Sequence, residues 1–248
     1  MICELIAKKS LPNSLCDFVV RSAEMAAQTK PGQFLHFLCG GDAYLRRPIS
    51  VCEVSGDTVR FIFQVRGVGT DALSNKKVGE KLDILGPLGT GFDLTDCGNR
   101  PVLIGGGIGI FPLLEVAKKL GKSASVLLGF KSEADVILTE EFAKYTDKVF
   151  VATDDGSCGF KGLVTDLARN IAKSNDISSL YTCGPMPMMR AVTEVAKEFN
   201  IPAQASLEER MGCGVGACVT CACTVAGQRK RVCKDGPVFN ALEVEWDG

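Results

Sequence analysis

Five of the chain's twelve cysteines lie between residues 213 and 233, and their spacing is the strongest chemical signal in the sequence. Cys213, Cys218 and Cys221 follow the pattern C-x4-C-x2-C, and Cys233 lies further along. Thiolates at this spacing, in a loop whose glycines permit tight turns, can converge on a 2Fe-2S cluster. We therefore predict that these four cysteines ligate such a cluster.

Two alternatives remain open for this loop from the residues alone. A four-cysteine zinc site is one, although zinc sites usually repeat C-x2-C pairs and this loop contains one pair beside a four-residue gap. The other concerns the third ligand. Cys223 is a fifth thiol, and strand alternation after Cys221 does not decide which of the two faces the metal.

Two short motifs in the first third of the chain have the residues of a flavin site. An arginine at the start of a predicted strand can bind a diphosphate, and a serine three residues later can hydrogen-bond the isoalloxazine edge. A glycine turn into a short helix can cradle a pyrophosphate. The order of the motifs, rather than any one of them, indicates a flavin site. The motifs are Arg46-Arg47-Pro48-Ile49-Ser50 and the turn Arg66 to Ser74, with Ile62-Phe63-Gln64 on the strand between them.

A glycine run after a buried strand, Gly105-Gly106-Gly107-Ile108-Gly109, opens a predicted helix. This context suits a dinucleotide pyrophosphate, although the run is not G-x-G-x-x-G and a tight strand-to-helix turn is the alternative. Later strands end at Asp154 and at Cys183-Gly184-Pro185, on the ligand-binding edge of an open sheet. Cys183 is a candidate to face the nicotinamide, and a buried structural cysteine is the alternative. Lys131 follows the next strand, where it could meet the 2'-phosphate of NADP, but one lysine is a thin basis for that cofactor. We therefore predict NAD.

The elements that must position these residues change type near residue 100. Residues 1 to about 95 contain short β-rich runs separated by Gly, Pro and Asp turns, which predicts a small antiparallel barrel. Beyond them, short apolar strands alternate with amphipathic helices, which predicts a parallel α/β sheet. We expect an FAD-binding barrel at 1–97, an NAD-binding α/β domain at 98–207 and a 2Fe-2S cysteine region at 208–248.

Composition narrows the function classes. Lys+Arg number 28 and Asp+Glu 29, and a net charge of -1 gives no electrostatic case for nucleic acid or an anionic membrane. No apolar run reaches the roughly 18 residues of a spanning helix. The first residues also lack the apolar core of a secretory signal. The seven cysteines outside the loop are scattered singly along the chain. Scattered cysteines in a cytosolic protein are usually small buried apolar residues. We expect a cytoplasmic protein.

The ordered set of motifs resembles the ferredoxin-NADP reductase superfamily and, more narrowly, the electron-transfer subunits of class B dihydroorotate dehydrogenase. The resemblance spans nearly the whole chain and is most specific at the C-terminal block. It is carried by Leu45-Arg46-Arg47-Pro48-Ile49-Ser50, Gly67-Val68-Gly69-Thr70, Gly105 to Gly109, Thr153 to Ser157, Tyr181-Thr182-Cys183-Gly184-Pro185, and Glu208 to Phe239. It implies FAD, NAD and 2Fe-2S in that order, and it favours Cys221 as the third ligand. By position, it implies FAD contacts at Arg47, Pro48, Ile49, Ser50, Ile62, Phe63, Gln64, Gly69 and Thr70. Two departures are a short gap between Cys221 and Cys233 and Cys158 at an expected aromatic position.

The resemblance also implies a partner. The partner would be an FMN-containing catalytic subunit, in a complex with two copies of each chain. It would oxidise dihydroorotate in pyrimidine biosynthesis, and the electrons would pass through 2Fe-2S and FAD to NAD+. The nearest alternative is the small subunit of an NADH-dependent ferredoxin:NADP oxidoreductase, or of a related hydrogenase or sulfide dehydrogenase. A zinc-stabilised, non-catalytic interaction module is a remote alternative. His36, the one histidine, is expected to be structural.

Overall fold

The computed structural model describes residues 1–174 and 177–246, and its first third is a closed six-stranded barrel with strand order β1-β2-β5-β4-β3-β6. Phenylalanines of β2, β3 and β5 pack against one another inside it in stacked, tilted and edge-on pairs, with ring centroids 4.4 to 6.2 Å apart. The predicted barrel is therefore confirmed. Its strands are β1 (Ile2–Leu11), β2 (Leu15–Arg21), β3 (Phe34–Leu38), β4 (Arg47–Ser55), β5 (Thr58–Gln64) and β6 (Lys81–Leu88).

The barrel also contains two short helices, α1 (Ala23–Gln28) and α2 (Val68–Ser74). The sequence predicted α2 but not α1, so an all-β reading of the first 95 residues was too simple. Ser22 explains α1, because its hydroxyl accepts the Met25 N–H at 3.2 Å and caps the helix.

The second unit is a seven-stranded sheet, ordered β10-β9-β8-β7-β11-β12-β15, with helices packed on it. Its strands are parallel except the edge strand β15, which runs antiparallel to β12 and comes from the cysteine segment. The elements are β7 (Pro101–Gly106), α3 (Phe111–Leu120), β8 (Ser125–Phe130), α4 (Thr139–Ala143), β9 (Val149–Thr153), β10 (Phe160–Lys161), α5 (Val164–Ser174), β11 (Ser179–Cys183), α6 (Met186–Glu198), β12 (Ala203–Ser206) and β15 (Val238–Asn240).

The cysteine segment holds a small hairpin, β13 (Ala222–Val225) and β14 (Gln228–Arg231), with its turn at Ala226 and Gly227. A second connection runs back to the barrel, since the Thr90 N–H donates to the Gly236 carbonyl at 2.5 Å. The cysteine segment is thus joined both to the sheet and to the end of the barrel. No helix in the described ranges is long and apolar enough to cross a membrane.

A half-buried ionic network joins the barrel to the α/β unit. Arg60 of β5 pairs with Asp17 at 2.7 Å, with Glu53 at 3.6 Å and with Glu141 of α4. Lys118 of α3 adds a bond to the Glu53 carboxylate at 3.2 Å. Because these groups come from both units, the network fixes the orientation in which the barrel meets the sheet.

Candidate functional site

A single cleft lies where the three segments of the chain meet. The cleft is open to solvent and has a cavity volume of about 220 Å³. The barrel contributes one wall, the turn after β7 a second, and the start of the cysteine segment a third. Its lining is Phe34, Pro48, Ile49, Ser50, Ile62, Phe63, Gln64, Arg66, Thr70, Ile108, Phe111, Pro112, Ser206, Leu207, Glu208, Glu209, Met211 and Pro237.

Seven of the nine predicted FAD contacts line this cleft, and the other two, Arg47 and Gly69, touch each other beside it. A Cβ on Gly69 would lie 2.8 Å from the Arg47 Nε, so the glycine makes room for the guanidinium next to α2. Thr70 closes the same turn, because its hydroxyl accepts the Arg66 N–H at 2.9 Å. Binding of a diphosphate by this turn stays a prediction.

The two adjacent arginines have different partners, which separates their roles. Arg46 is committed to the barrel, since its guanidinium donates to the Asp83 carboxylate at 2.9 Å and to the His36 carbonyl at 3.2 Å. Arg47 donates to the carbonyls of Leu45 and Arg46 and has no carboxylate partner among the described residues. The Arg47 charge is therefore available to an anionic ligand, as FAD requires.

The glycine run lies at the topological switch point of the sheet. From β7 the chain order proceeds to β8 and β9 on one side and to β11 and β12 on the other, and dinucleotides bind at such a point. Gly105 and Gly106 are the last residues of β7, so the glycine run expected to follow the strand begins within it. Gly107 begins a 3-10 turn, with φ +55° and open space around it.

Gly109 allows the turns after β7 and β11 to touch. A Cβ on Gly109 would lie 2.4 Å from the Gly184 Cα and 2.6 Å from the Cys183 carbonyl oxygen. Pro185 follows in the same turn, where the Met188 N–H donates to its carbonyl at 2.9 Å. Asp154 is exposed at the same sheet edge, beyond the end of β9. The predicted nicotinamide residues thus share one edge, but none of them lines the cleft itself.

Gly109→Ala is expected to slow flavin reduction by NADH at least about tenfold, because the methyl group meets backbone and displaces the turn that a nicotinamide must approach. We also expect a loss of about 1–3 kcal/mol in unfolding free energy, the usual cost of overpacking. Gly121→Ala is the control, at the opposite end of α3, with φ +58° and no neighbour within 4 Å in the described chain. Stopped-flow absorbance measures the rate of flavin reduction, which should fall only in the Gly109 variant.

Cys183 is 1% exposed at the end of β11, and burial raises the pKa of its thiol well above the ordinary value. Its neighbour in register, Ser206, lines the cleft instead. Contact between Cys183 and a nicotinamide therefore stays a prediction.

Two charged residues that line the cleft, Glu208 and Arg66, were not predicted as site residues from the sequence. The Glu208 side chain is accessible from the cleft yet surrounded by protein, and this burial raises the pKa of its carboxyl against the opposing charge of Arg66. Glu208 follows β12, so only the sheet topology could have placed it there.

Backbone N–H groups of the cysteine loop point at the thiol sulfurs. The Cys213 Sγ accepts from Val215 at 3.4 Å, Ala217 at 3.2 Å and Cys218 at 3.4 Å. The Cys233 Sγ accepts from Gly216 at 3.1 Å. Gly214 and Gly216 make these turns possible with φ of +74° and +82°. Such donors stabilise the anionic sulfur of a cluster ligand.

The four predicted ligands form two pairs. The Cys213 N–H donates to the Cys218 Sγ and the Cys218 N–H to the Cys213 Sγ, both at 3.4 Å, and the Cys233 N–H donates to the Cys221 Sγ at 3.4 Å. No three His, Cys, Asp or Glu side chains within the described residues meet closely enough to hold one metal ion. A zinc site needs four ligands around one ion, whereas a two-iron cluster is held by two pairs. The donor set therefore fits 2Fe-2S.

The two pairs lie in different environments. The hydroxyl and N–H of Thr220 lower the pKa of the exposed Cys218 to about 6, and backbone donors at Cys218 and Val215 lower that of Cys213. Burial, followed by the Cys221 thiol, raises the pKa of Cys233 to about 12. One pair thus faces solvent while the other faces the protein.

Cys223 differs from the other thiols of the loop. It lies half-buried in β13 opposite Lys230, and no hydrogen bond joins it to another cysteine of the described chain. Cys221, in contrast, accepts the Cys233 N–H at 3.4 Å through its sulfur. The geometry therefore favours Cys221 as the third ligand.

Comparisons with known proteins agree with this division of the chain. Residues 103–194 match the model of the oxidoreductase NAD-binding domain. Residues 208–245 match the iron-sulfur cluster binding domain of dihydroorotate dehydrogenase B.

Curated relatives are similar over most of their length. The dihydroorotate dehydrogenase B (NAD(+)) electron transfer subunit of Bacillus caldolyticus is 47% identical, with 87% of this chain and 86% of the relative covered. The subunit of the same name from Caldanaerobacter subterraneus subsp. tengcongensis is 45% identical, with 86% of each covered. Among solved structures, a chain of an NADH-dependent reduced ferredoxin-NADP oxidoreductase, studied for flavin-based electron bifurcation, superimposes with a TM-score of 0.89 at 33% identity. That superposition covers 100% of this chain and 91% of the other.

Proposed function

Because the chain belongs to the family of dihydroorotate dehydrogenase B electron-transfer subunits, we propose that it carries electrons from the FMN of a catalytic partner, through 2Fe-2S and FAD, to NAD+. The chain is an oxidoreductase subunit with FAD, 2Fe-2S and NAD as its redox groups. One observation carries the proposal: a single cleft is walled by the barrel, by the turn after β7 and by residues that lead directly into the cysteine loop. Flavin, nicotinamide and cluster sites thus adjoin.

The residues divide the work by position. Bound FAD exchanges a hydride with NAD and single electrons with an iron-sulfur cluster. Arg47 holds its diphosphate, and the cleft walls at Ser50 and Gln64 orient its ring. The turns at Gly109 and Gly184 allow the nicotinamide to approach from the sheet edge. These roles are part of the proposal. The proposed domains are the FAD-binding barrel at residues 1–97, the NAD-binding α/β domain at 98–207 and the cluster-binding region at 208–248.

The cysteine loop places the cluster between the flavin and a partner. Cys213 and Cys218 hold one iron and Cys221 and Cys233 the other, in this proposal. Met211 lines the flavin cleft two residues before the first cysteine, so the loop begins at the cleft wall. Because Cys218 is exposed, that end of the cluster is open to a second protein.

The partner in this proposal is an FMN-containing catalytic subunit, in a complex with two copies of each chain. The relatives' name, electron transfer subunit, supports the existence of a catalytic partner. A cytoplasmic location is also proposed, supported by twelve cysteines of which none forms a disulfide in the described chain. The ferredoxin-NADP oxidoreductase alternative rests on a relative at 33% identity, below the 47% of the dihydroorotate dehydrogenase subunit. Copurification of a large flavoprotein rich in iron-sulfur clusters would favour that alternative.

Arg47→Ala is expected to raise the dissociation constant of FAD about 10- to 150-fold, since hydrogen bonds to charged groups contribute ~1.5–3 kcal/mol. The matched control is Arg21→Ala. Arg21 is an exposed residue at the end of β2, with weak ion pairs to Glu4 and Asp57. Flavin titration of the apoprotein, followed by fluorescence, measures both. Equal affinities in the two variants would contradict the assignment of the diphosphate to Arg47.

A further inference from the structure

His36 is the chain's one histidine, and its position links the flavin barrel to the cysteine loop. It lies in β3, 0% exposed, between Pro48 of β4 and Leu85 of β6. Its carbonyl accepts from Arg46 at 3.2 Å, and Arg46 is itself held by Asp83. The imidazole is therefore fixed on a rigid part of the barrel.

The His36 ring packs against Gly214 of the cysteine loop. A Cβ on Gly214 would lie 2.4 Å from the ring Nδ1, 3.0 Å from Cε1 and 3.2 Å from Cγ. Three ring atoms at these distances leave no room for any side chain. Burial lowers the pKa of the imidazole, and the nearby backbones of Arg46 and Cys213 oppose this shift, although neither ring nitrogen makes a hydrogen bond of good geometry within the described part of the chain.

Gly214 lies between the groups that position the first sulfur. The Cys213 N–H donates to the Cys218 Sγ at 3.4 Å, and the Val215 N–H donates to the Cys213 Sγ at 3.4 Å. A shift of Gly214 would therefore move donors to two sulfurs. The His36 ring also meets Phe34 edge-on at a centroid distance of 6.5 Å, and Phe34 lines the flavin cleft.

We propose that the contact between His36 and Gly214 sets the cysteine loop on the flavin barrel, which makes His36 a positioning residue for electron transfer between flavin and cluster. This inference rests on the proposed function, since it requires that the loop binds 2Fe-2S and the cleft binds flavin. It adds a residue outside both ligand sets. The chain from Phe34 through His36 and Gly214 to Cys213 is continuous, so displacing the ring changes the distance or orientation between the two groups.

The test is a double-mutant cycle of Gly214→Ala and His36→Ala in the loaded protein. Gly227→Ala is the matched control, because Gly227 has φ +70° against +74° for Gly214, but no atom of the described chain lies within 4 Å of its Cβ position. Both alanines carry the same backbone strain, and only the one at 214 meets the ring. His36→Phe is the conservative variant that keeps a ring at position 36.

In the measurement, NADH reduces the flavin by two electrons. One of these electrons then passes to the diferric cluster, and the other stays on the flavin. Stopped-flow absorbance gives both rates, and EPR of the reduced cluster reports its environment. We expect Gly214→Ala to shift the EPR spectrum and slow the second step, and the double variant to recover that rate by about fivefold or more, as for residues in contact. His36→Phe should stay closer to the parent than His36→Ala, and Gly227→Ala should match the parent.

Two results would overturn the positioning role: Gly214→Ala indistinguishable from Gly227→Ala, or a double variant no better than Gly214→Ala. If Gly214→Ala takes up no cluster, iron and sulfide content replaces the rate as the readout, and the same recovery is expected. Failure of the proposed function looks different, because the parent protein itself would then lack the cluster spectrum or reduction by NADH.

Discussion

Cys221→Ser is expected to bleach the cluster absorbance of the purified chain, whereas Cys223→Ser should retain it. The two positions differ by two residues and carry the same substitution, so each is the other's control. The reason is geometric: the buried Cys221 sulfur accepts the Cys233 N–H at 3.4 Å, while the half-buried Cys223 makes no hydrogen bond to another cysteine of the described chain. Visible absorbance, EPR and iron content measure the outcome.

The reverse result, with the cluster lost only in Cys223→Ser, would mean that the loop rearranges around the metal. In that case the pairing of Cys221 with Cys233 would belong to the metal-free loop alone. Retention of the cluster in both variants would contradict four-cysteine ligation by Cys213, Cys218, Cys221 and Cys233. Zinc in place of iron in the parent protein would support the interaction-module alternative.

Arg60→Ala is expected to lower the unfolding free energy by about 3–5 kcal/mol, the cost of removing one partner from a buried ion pair. The substitution leaves the carboxylates of Asp17, Glu53 and Glu141 close together without their shared cation. Arg21→Ala is again the control, because exposed pairs contribute only about 0–1 kcal/mol and its side chain is 56% exposed. Urea unfolding of the loaded protein measures both.

Because Glu141 belongs to α4 of the α/β unit, the Arg60 substitution should also loosen the contact between the two units. We therefore expect its two halves to unfold less cooperatively, with flavin fluorescence and far-UV circular dichroism giving separate midpoints. Equal loss of stability in the Arg60 and Arg21 variants would show that the network does not join the units.

Local motifs were the part of the site that the sequence could predict. The cysteine spacing, the arginine motif and the two glycine turns each need only a few consecutive residues, and the structure brings them to one region. The Cys221 or Cys223 question was different. It depends on which thiol the β13–β14 hairpin turns toward Cys233, and that is decided by packing against the sheet.

Elements with weak local signals were missed. β1 carries Glu4, Lys8 and Lys9, and much of it is exposed, so its sequence lacks the apolar alternation of a strand. Its ends are held instead by pairing with β2 and β6, which only closure of the barrel supplies. The same applies to β15 and Glu208, since their places depend on how the cysteine segment returns to the sheet.

The most direct test of the electron-transfer role is NAD+ reduction by dihydroorotate, with this chain and an FMN-containing dihydroorotate dehydrogenase subunit mixed anaerobically. The account predicts that NADH forms only when both chains are present, and that Cys221→Ser abolishes this activity while sparing flavin reduction by NADH. NADH formation by the catalytic subunit alone, or by the pair with the cluster removed, would contradict it.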